Sequence, residues 1–354
     1  MNPEIRPLSE SDLADLSRFL TAGFQAPANS YFAAVDVLRW KYLEPARADS
    51  QGGSRPHSFL ARDPAGRVVG HIGICRTAFE GDALAPPHRV ETIHIIDWLG
   101  STEHPGVGTA LMRRAHQGVP TQFGLGVSPS ALVVGERIGY ALRTLVPVYA
   151  RVLRTDYWRR AGGMTIARRL ARLGRDLAWR ASHRLPAAPG ILRLEQAHAF
   201  GPEIVPITDA AKQYVIMTSR SPERLCAMLR LPRQAMTGWR LVDPAGRLRG
   251  WAVTNVVLTD AGRTRTGKIV DLLLDDRDES LWRTAFILLA QALKRQGADV
   301  ALAYASTPWT AKALDQCGFA SRYTVKFHIR DRSGLIPRDV PFHLTPLEGD
   351  YAYT

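Results

Sequence analysis

The sequence has little cysteine and no long apolar run. Its 354 residues hold three cysteines, Cys75, Cys226 and Cys317, far apart and odd in number. They form no CxxC pair, so neither a disulfide framework nor a zinc knuckle is written here, and a reducing, cytoplasmic setting is expected. HExxH and His-rich runs are missing too, which removes the usual signatures of a metal site. No stretch reaches the roughly eighteen unbroken apolar residues of a membrane span. The opening MNPEIRPLSESDLADL lacks the basic-then-apolar order of a secretory leader. Acidic residues are in deficit, 33 Asp and Glu against 46 Lys and Arg, for a net charge of +13 and a pI near 10.1. Such a balance favours an anionic partner: nucleic acid, acidic lipid, polyanionic sugar or a phosphorylated cofactor. The basic residues are nearly all arginine, which a GC-rich genome would also produce.

What is present is repetition. FLARDPAGRVVGHIGI, starting at Phe59, is matched by WRLVDPAGRLRGWAVT, starting at Trp239, with Asp63 and Asp243 offset by 180 residues. Both place Asp-Pro-Ala-Gly-Arg between apolar runs, a hairpin signature because Pro and Gly preset the turn. Ile138-Gly139-Tyr140 parallels Cys317-Gly318-Phe319 at an offset of 179. Two landmarks at nearly one offset imply two copies of one fold. In the first copy the patterns predict a strand at Ile5–Leu8, a helix with Leu13, Leu16, Phe19, Leu20 and Phe24 on one face, and a helix over Tyr31–Tyr42. After the hairpin they predict a strand over Val90–Leu99, a helix over Val107–Gln117, a strand over Gln122–Val127, a helix over Pro129–Arg137 and a long strand over Tyr140–Leu153. The second copy repeats this core from Ser221 to Ile329. The expected class is α/β (α+β): two tandem units, each a twisted mixed sheet flanked by helices. The units are expected at 1–154 and 206–330, joined by a basic amphipathic connector, 155–205, and followed by a tail, 331–354.

The order of elements, with the words GVGTALMRRA and IGY, resembles the GNAT superfamily of acyl-CoA-dependent N-acyltransferases. There the fourth strand runs into a loop written [Gln/Arg]-x-x-Gly-x-[Gly/Ala] that opens the next helix and holds the pyrophosphate of acyl-coenzyme A. Unpaired N–H groups and the positive helix end make an anion site. The match is Glu103-His104-Pro105-Gly106-Val107-Gly108, followed by Thr109, Ala110 and Leu111. Glu103 stands where the family has Arg or Gln, and Pro105 removes one N–H. The resemblance implies acetyl-CoA or another acyl-CoA as cofactor, with Gly106, Val107, Gly108, Thr109 and Ala110 at the pyrophosphate and Ile96, Asp97 and Trp98 beside the pantetheine arm. The second unit departs further. Its loop, LLLDDRDESLWRTAF from Leu272, has no glycine and carries Asp275, Asp276, Asp278 and Glu279. Those carboxylates would repel a pyrophosphate, so the second unit is expected to have lost the site and to shape a substrate cleft or stabilise the first. Tandem units with Trp40-Lys41-Tyr42 and a late Leu344, Thr345 and Asp350 also loosely resemble GNAT-like proteins of polysaccharide biosynthesis clusters.

Direct acyl transfer to an amine needs proximity, a base and oxyanion stabilisation, with no covalent nucleophile. The strand VETIHIIDWL offers Glu91, His94 and Asp97 as candidate bases. Each has a structural alternative: Glu91 a solvated strand end, His94 a hydrogen-bonded core histidine, Asp97 a partner for a backbone N–H. The tyrosine that many family members use as the acid is replaced by Gly135 in the first unit and Leu314 in the second, which leaves water or another tyrosine, Tyr140 or Tyr149. Cys75 has no apparent partner for nucleophilic chemistry and reads as structural.

In the connector, Ile166, Leu170, Leu173 and Leu177 form one helical stripe among arginines. Two readings stay open for 163–184: a helix lying on an acidic membrane surface or anionic polymer, or a connector packing its stripe on a domain with its arginines solvated. Nucleic acid ranks lower, since no reader motif accompanies the charge. The sequence therefore leads to a cytoplasmic N-acyltransferase of unknown amine acceptor with one working site, or else to a non-catalytic tandem binding or scaffold protein at the inner membrane surface or in polysaccharide assembly.

Overall fold

The repeated DPAGR words make the same turn twice. Asp63 and Asp243 each accept the N–H of the arginine four residues on, at 2.8 and 2.9 Å, and Gly66 and Gly246 take φ of 79° and 87°. That left-handed backbone is open to glycine at no steric cost. The structure, a computed structural model, describes residues 3–27, 30–44, 56–117, 119–155, 165–259, 264–332 and 334–349.

In the first unit, β1 (Glu4–Pro7) leads to α1 (Leu13–Gly23) and α2 (Val35–Tyr42). The helix expected over Tyr31–Tyr42 is broken, because Ala34 turns to extended backbone between a 3-10 turn and α2. Next come β2 (Ser58–Arg62), β3 (Val68–Glu80), β4 (Arg89–Gly100), α3 (Val107–Ala115), β5 (Thr121–Leu125), α4 (Pro129–Arg137) and β6 (Ala141–Val152). Ser128 caps α4 with Pro129 in its first turn, and Gly139, at φ 99°, ends it. The helix α5 (Ile166–Ser182) follows. The second unit is β7 (Arg193–Ala197), α6 (Val205–Lys212), β8 (Met217–Thr218), α7 (Pro222–Leu229), β9 (Met236–Val242), β10 (Leu248–Thr259), β11 (Thr264–Leu274), α8 (Glu279–Arg295), β12 (Val300–Tyr304), α9 (Pro308–Gln316) and β13 (Ala320–Asp331).

All these strands join one sheet, ordered β1-β2-β3-β4-β5-β13-β6-β12-β11-β10-β9-β7, with β8 beside β3. Matching β7 and β9 to β13 with β1 to β6 in chain order makes that list read the same from either edge. The two units have exchanged their last strands: β13 pairs with β5 and β6 pairs with β12, each antiparallel. The exchange is fastened symmetrically. Arg330 of β13 donates to Ile138 O at the end of α4 (2.9 Å), and Arg151 of β6 donates to Cys317 O and Gly318 O at the end of α9 (2.5 and 2.8 Å).

Two expected boundaries need correction. β7 lies in the stretch expected as connector, yet it pairs with β9 and belongs to the second unit's sheet. The expected tail begins inside β13 and continues into the core. Phe342 packs on Phe79 and Phe327, with ring centroids 5.3 and 5.1 Å away, and Glu348 ion-pairs with the fully buried Arg220 at 2.7 Å. Both segments lack a periodic pattern, and only tertiary contact places them. Residues 156–164 of the connector and Asp350 lie outside the described residues.

Candidate acyl-CoA site

The cleft arises where two parallel strands part. β4 pairs with β5 only through Thr92, Ile93 and His94, and beyond them the edge of β4 toward β5 has no strand partner among the described residues. Between the diverging strands lies a cavity of about 230 Å³, lined by His94 to Trp98 of β4, Phe123 to Leu125 of β5, Ala131, Leu132 and Gly135 of α4, Tyr140, and His328 of β13.

A bulge in β4 sets its direction. Gly73 faces Ile96 but His71 faces Leu99, so β4 has one residue more than β3 there. Asp97 carries the distortion at φ 47°, a region uncommon for any residue but glycine. Its carboxylate accepts from Lys41 Nζ (2.9 Å) and the Tyr42 hydroxyl (2.5 Å), all three side chains buried. Gly73 permits this, since a Cβ there would lie 2.5 Å from that hydroxyl. Burial pushes the Asp97 pKa up, but Lys41, Tyr42 and His71 outweigh it and hold it below its ordinary value. Burial lowers His71 to about 4, so it is neutral. Its Nδ1 then donates to Asp97 O (2.9 Å), while its Nε2 accepts from the Ser58 hydroxyl (2.7 Å). Asp97 is therefore an ionised anchor for the bulge, with its carboxylate already engaged.

The other sequence candidates are dispersed. Glu91 is exposed at the far end of β4 and pairs with Arg89 at 3.1 Å. His94 lines the cleft but is buried, stacked on Phe123 at 4.9 Å, and lowered to about 3 chiefly by burial. It is a neutral and weak base. Two groups supplied by other elements complete the wall. His328 comes from the exchanged strand, its Nδ1 buried without a partner among the described residues. Burial and Lys326 lower its pKa, so it is unprotonated at neutral pH. Tyr140 lies against Gly135, whose Cβ, if present, would be 3.7 Å from the tyrosine Cβ. The Tyr140 ring thus borders the position that lacks the family's usual tyrosine. Its hydroxyl is 3.3 Å from His116 Nε2, and burial raises its pKa. Tyr149 contacts Asp315 in the second unit instead. His328 carries no local signal in YTVKFHIR; only the strand exchange brings it here.

At the end of β4 the loop turns into α3 through Gly106, at φ 90°. Val107 N–H donates to His104 O and Ala110 N–H to Gly106 O. The N–H groups of Gly106, Gly108 and Thr109 have no acceptor among the described residues and meet the positive end of the helix. Trp98 Nε1 donates to Gly108 O (3.0 Å) and ties this turn to the cleft. A Cβ on Gly100 would lie 3.0 Å from Gly108 N, so the strand and helix need that glycine to approach. Val107 is buried beneath, Ala110 is exposed, and Glu103 projects into solvent. Unpaired N–H groups at a positive helix end are donors for an anion.

The second unit closes the same features. Asp278 accepts the N–H of Ser280 at the start of α8 (2.7 Å), placing the chain's own carboxylate on that helix end, and Asp275 is held by Arg249 (2.8 Å). Residues 343–346 fill the cleft between β11 and β12, where a cavity of only about 10 Å³ remains. His343 Nε2 donates to Leu272 O (2.8 Å), one residue past Asp271, the counterpart of Asp97.

Splayed parallel strands, a bulge and a glycine turn into a helix define the class: the chain has the GNAT fold, as two tandem units in one sheet. It is similar to N-myristoyltransferase of Saccharomyces cerevisiae solved with bound myristoyl-CoA (13% identity, TM-score 0.62, covering 98% of this chain and 83% of that one). It is also similar to a GCN5-related N-acetyltransferase of Anabaena variabilis (13%, TM-score 0.58, 93% and 72%) and to a probable N-acyltransferase of Enterococcus faecalis (11%, TM-score 0.56, 93% and 72%). No protein-family model matches the chain, and no curated protein matches its sequence.

Proposed function

We propose that the chain is an N-acyltransferase that moves an acyl group from an acyl-CoA to an amine, at one site in the first unit. The observation that carries this is the asymmetry between the units: one cleft is open and its wall residue Trp98 bonds to a helix start whose three N–H groups have no acceptor among the described residues, while its counterpart is filled by the chain itself. Gly106, Gly108 and Thr109 would hold the pyrophosphate, and the free edge of β4 from Ile96 to Trp98 the pantetheine arm. The bound thioester supplies an activated acyl group. His328 would take the proton from the attacking amine. Tyr140, kept protonated by burial, would give one to the departing sulfur. A non-catalytic scaffold, the alternative that Gly135 suggests, loses ground because Tyr140 borders the same space.

Calorimetry with acetyl-CoA and myristoyl-CoA tests the site. One molecule should bind per chain, and Gly108→Trp should abolish binding, because a side chain there starts 3.4 Å from Trp98 Nε1. Absence of binding by both compounds at high micromolar concentration sinks the enzyme reading. Binding that survives Gly108→Trp moves the site elsewhere.

A further inference from the structure

The helix α5 is turned inside out relative to the usual surface helix. Its apolar half faces solvent, with Ile166, Leu170 and Leu177 exposed by 75%, 57% and 49%. Gly174, Ala167 and Ala178, all exposed, continue this face beyond Leu170 on the helical projection, while Leu173 at its other margin is half-buried. The inward half is polar. Asp176 is buried and pairs with Arg175 at 2.7 Å, and the Arg151 guanidinium of β6 lies 5.5 Å over Trp179. Arg151 also donates to His183 O (2.5 Å), fixing the end of the helix. Arg168 and Arg175 line one rim of the apolar half, Arg169 and Arg180 the other. The helix holds a single acidic residue, Asp176, and it points inward.

We propose that α5 docks this protein on an anionic lipid bilayer, with its apolar half in the headgroup–acyl boundary and its arginine rims on lipid phosphates. Charge complementarity selects this occupant. A second copy brought face to face would set arginine rim against arginine rim, with no carboxylate on either outward half to relieve the repulsion. An anionic surface satisfies the rims and the apolar half together. The helix lies on the surface rather than crossing it: no described helix is long and apolar enough to span a membrane.

The orientation follows from β6. Leu145 and Arg151 are an even number of residues apart in β6, and the register shift opposite that stretch puts its extra residue, Arg322, on β13, so they share a sheet face. Leu145 lies opposite Lys326, two residues from His328 of the cleft wall. The face of β6 that meets α5 is therefore the face on which Leu145 stands half-exposed, and His328 of the cleft wall lies on the same face of β13.

Sedimentation of the full chain with vesicles tests the proposal, using equal parts phosphatidylglycerol and phosphatidylcholine against phosphatidylcholine alone. The protein should pellet with the anionic vesicles and stay in solution with the neutral ones, and high salt should weaken binding. Leu170→Ser with Leu177→Ser, at exposed positions, should lower partitioning at least about tenfold with an unchanged melting temperature. Arg168→Gln should lower it less while leaving the fold intact. No pelleting with anionic vesicles, or equal pelleting of the leucine variant, overturns the proposal. So does light scattering that finds a dimer which Leu170→Ser dissociates, since a second copy would then cover the helix.

Discussion

His328 and Tyr140 belong to elements that a local motif around β4 would never select, yet both line the cleft. Their proposed roles separate experimentally. His328→Gln should lower kcat/KM by about 10²–10⁴-fold without changing acyl-CoA affinity. The wild-type profile should fall as pH drops through a histidine pKa below 6.5, and the variant should lose that limb. A variant that keeps both rate and limb removes His328 from the proton path. Tyr140→Phe should lower kcat by about 10²-fold, with the deficit shrinking for acyl donors whose leaving thiol is more acidic. A deficit of constant size would mean that the ring only packs.

At the scale of elements, the bulge in β4 depends on the buried Lys41–Asp97 pair. Removing one partner strands a charge, so Lys41→Met should destabilise the protein by about 3–5 kcal/mol, measured by urea unfolding. Replacing both partners with apolar residues should recover much of that. If the single variant is as stable as wild type, the pair does not hold the bulge. This pair also shows what the sequence could and could not tell. The DPAGR turns, the glycine loop and the helix from Pro129 were legible because their determinants lie within a few residues. Asp97 read as a base because its partners lie 56 and 55 residues away. The exchange of β6 and β13 was hidden, since alternation marks a strand but not its neighbour. So was the cleft-filling segment at 343–346, which has no period of its own. The apolar stripe of α5 was visible, but which way it faced depended on the burial of Asp176.

In the whole molecule, histidines held neutral at separate places tie stability to pH. Burial lowers His71 under the bulge to about 4, His94 in the cleft to about 3 and His343 in the filled counterpart to about 3, against an ordinary 6.5. Below pH 6.5 the unfolded chain gains protons at these positions and the folded chain does not. Stability is therefore full above 6.5 and declines as the pH falls toward the folded values. Each histidine removes about 1.4 kcal/mol per pH unit inside its window. Asp97 and Glu348 are lowered instead, so their contributions are lost only as the pH falls through the carboxylate range, while Asp271 and Asp176, raised by burial, take up protons in the folded chain first and offset part of the histidine slope. The exchanged strands make the two units one cooperative block, so the loss should appear as a single urea transition whose midpoint moves down between pH 7 and pH 5. His343→Gln keeps a donor for Leu272 O and should flatten that slope by about 1.4 kcal/mol per unit. A slope unchanged in the variant would mean that His343 is protonated in the folded protein, and the filling of the second cleft would then need a buried cation.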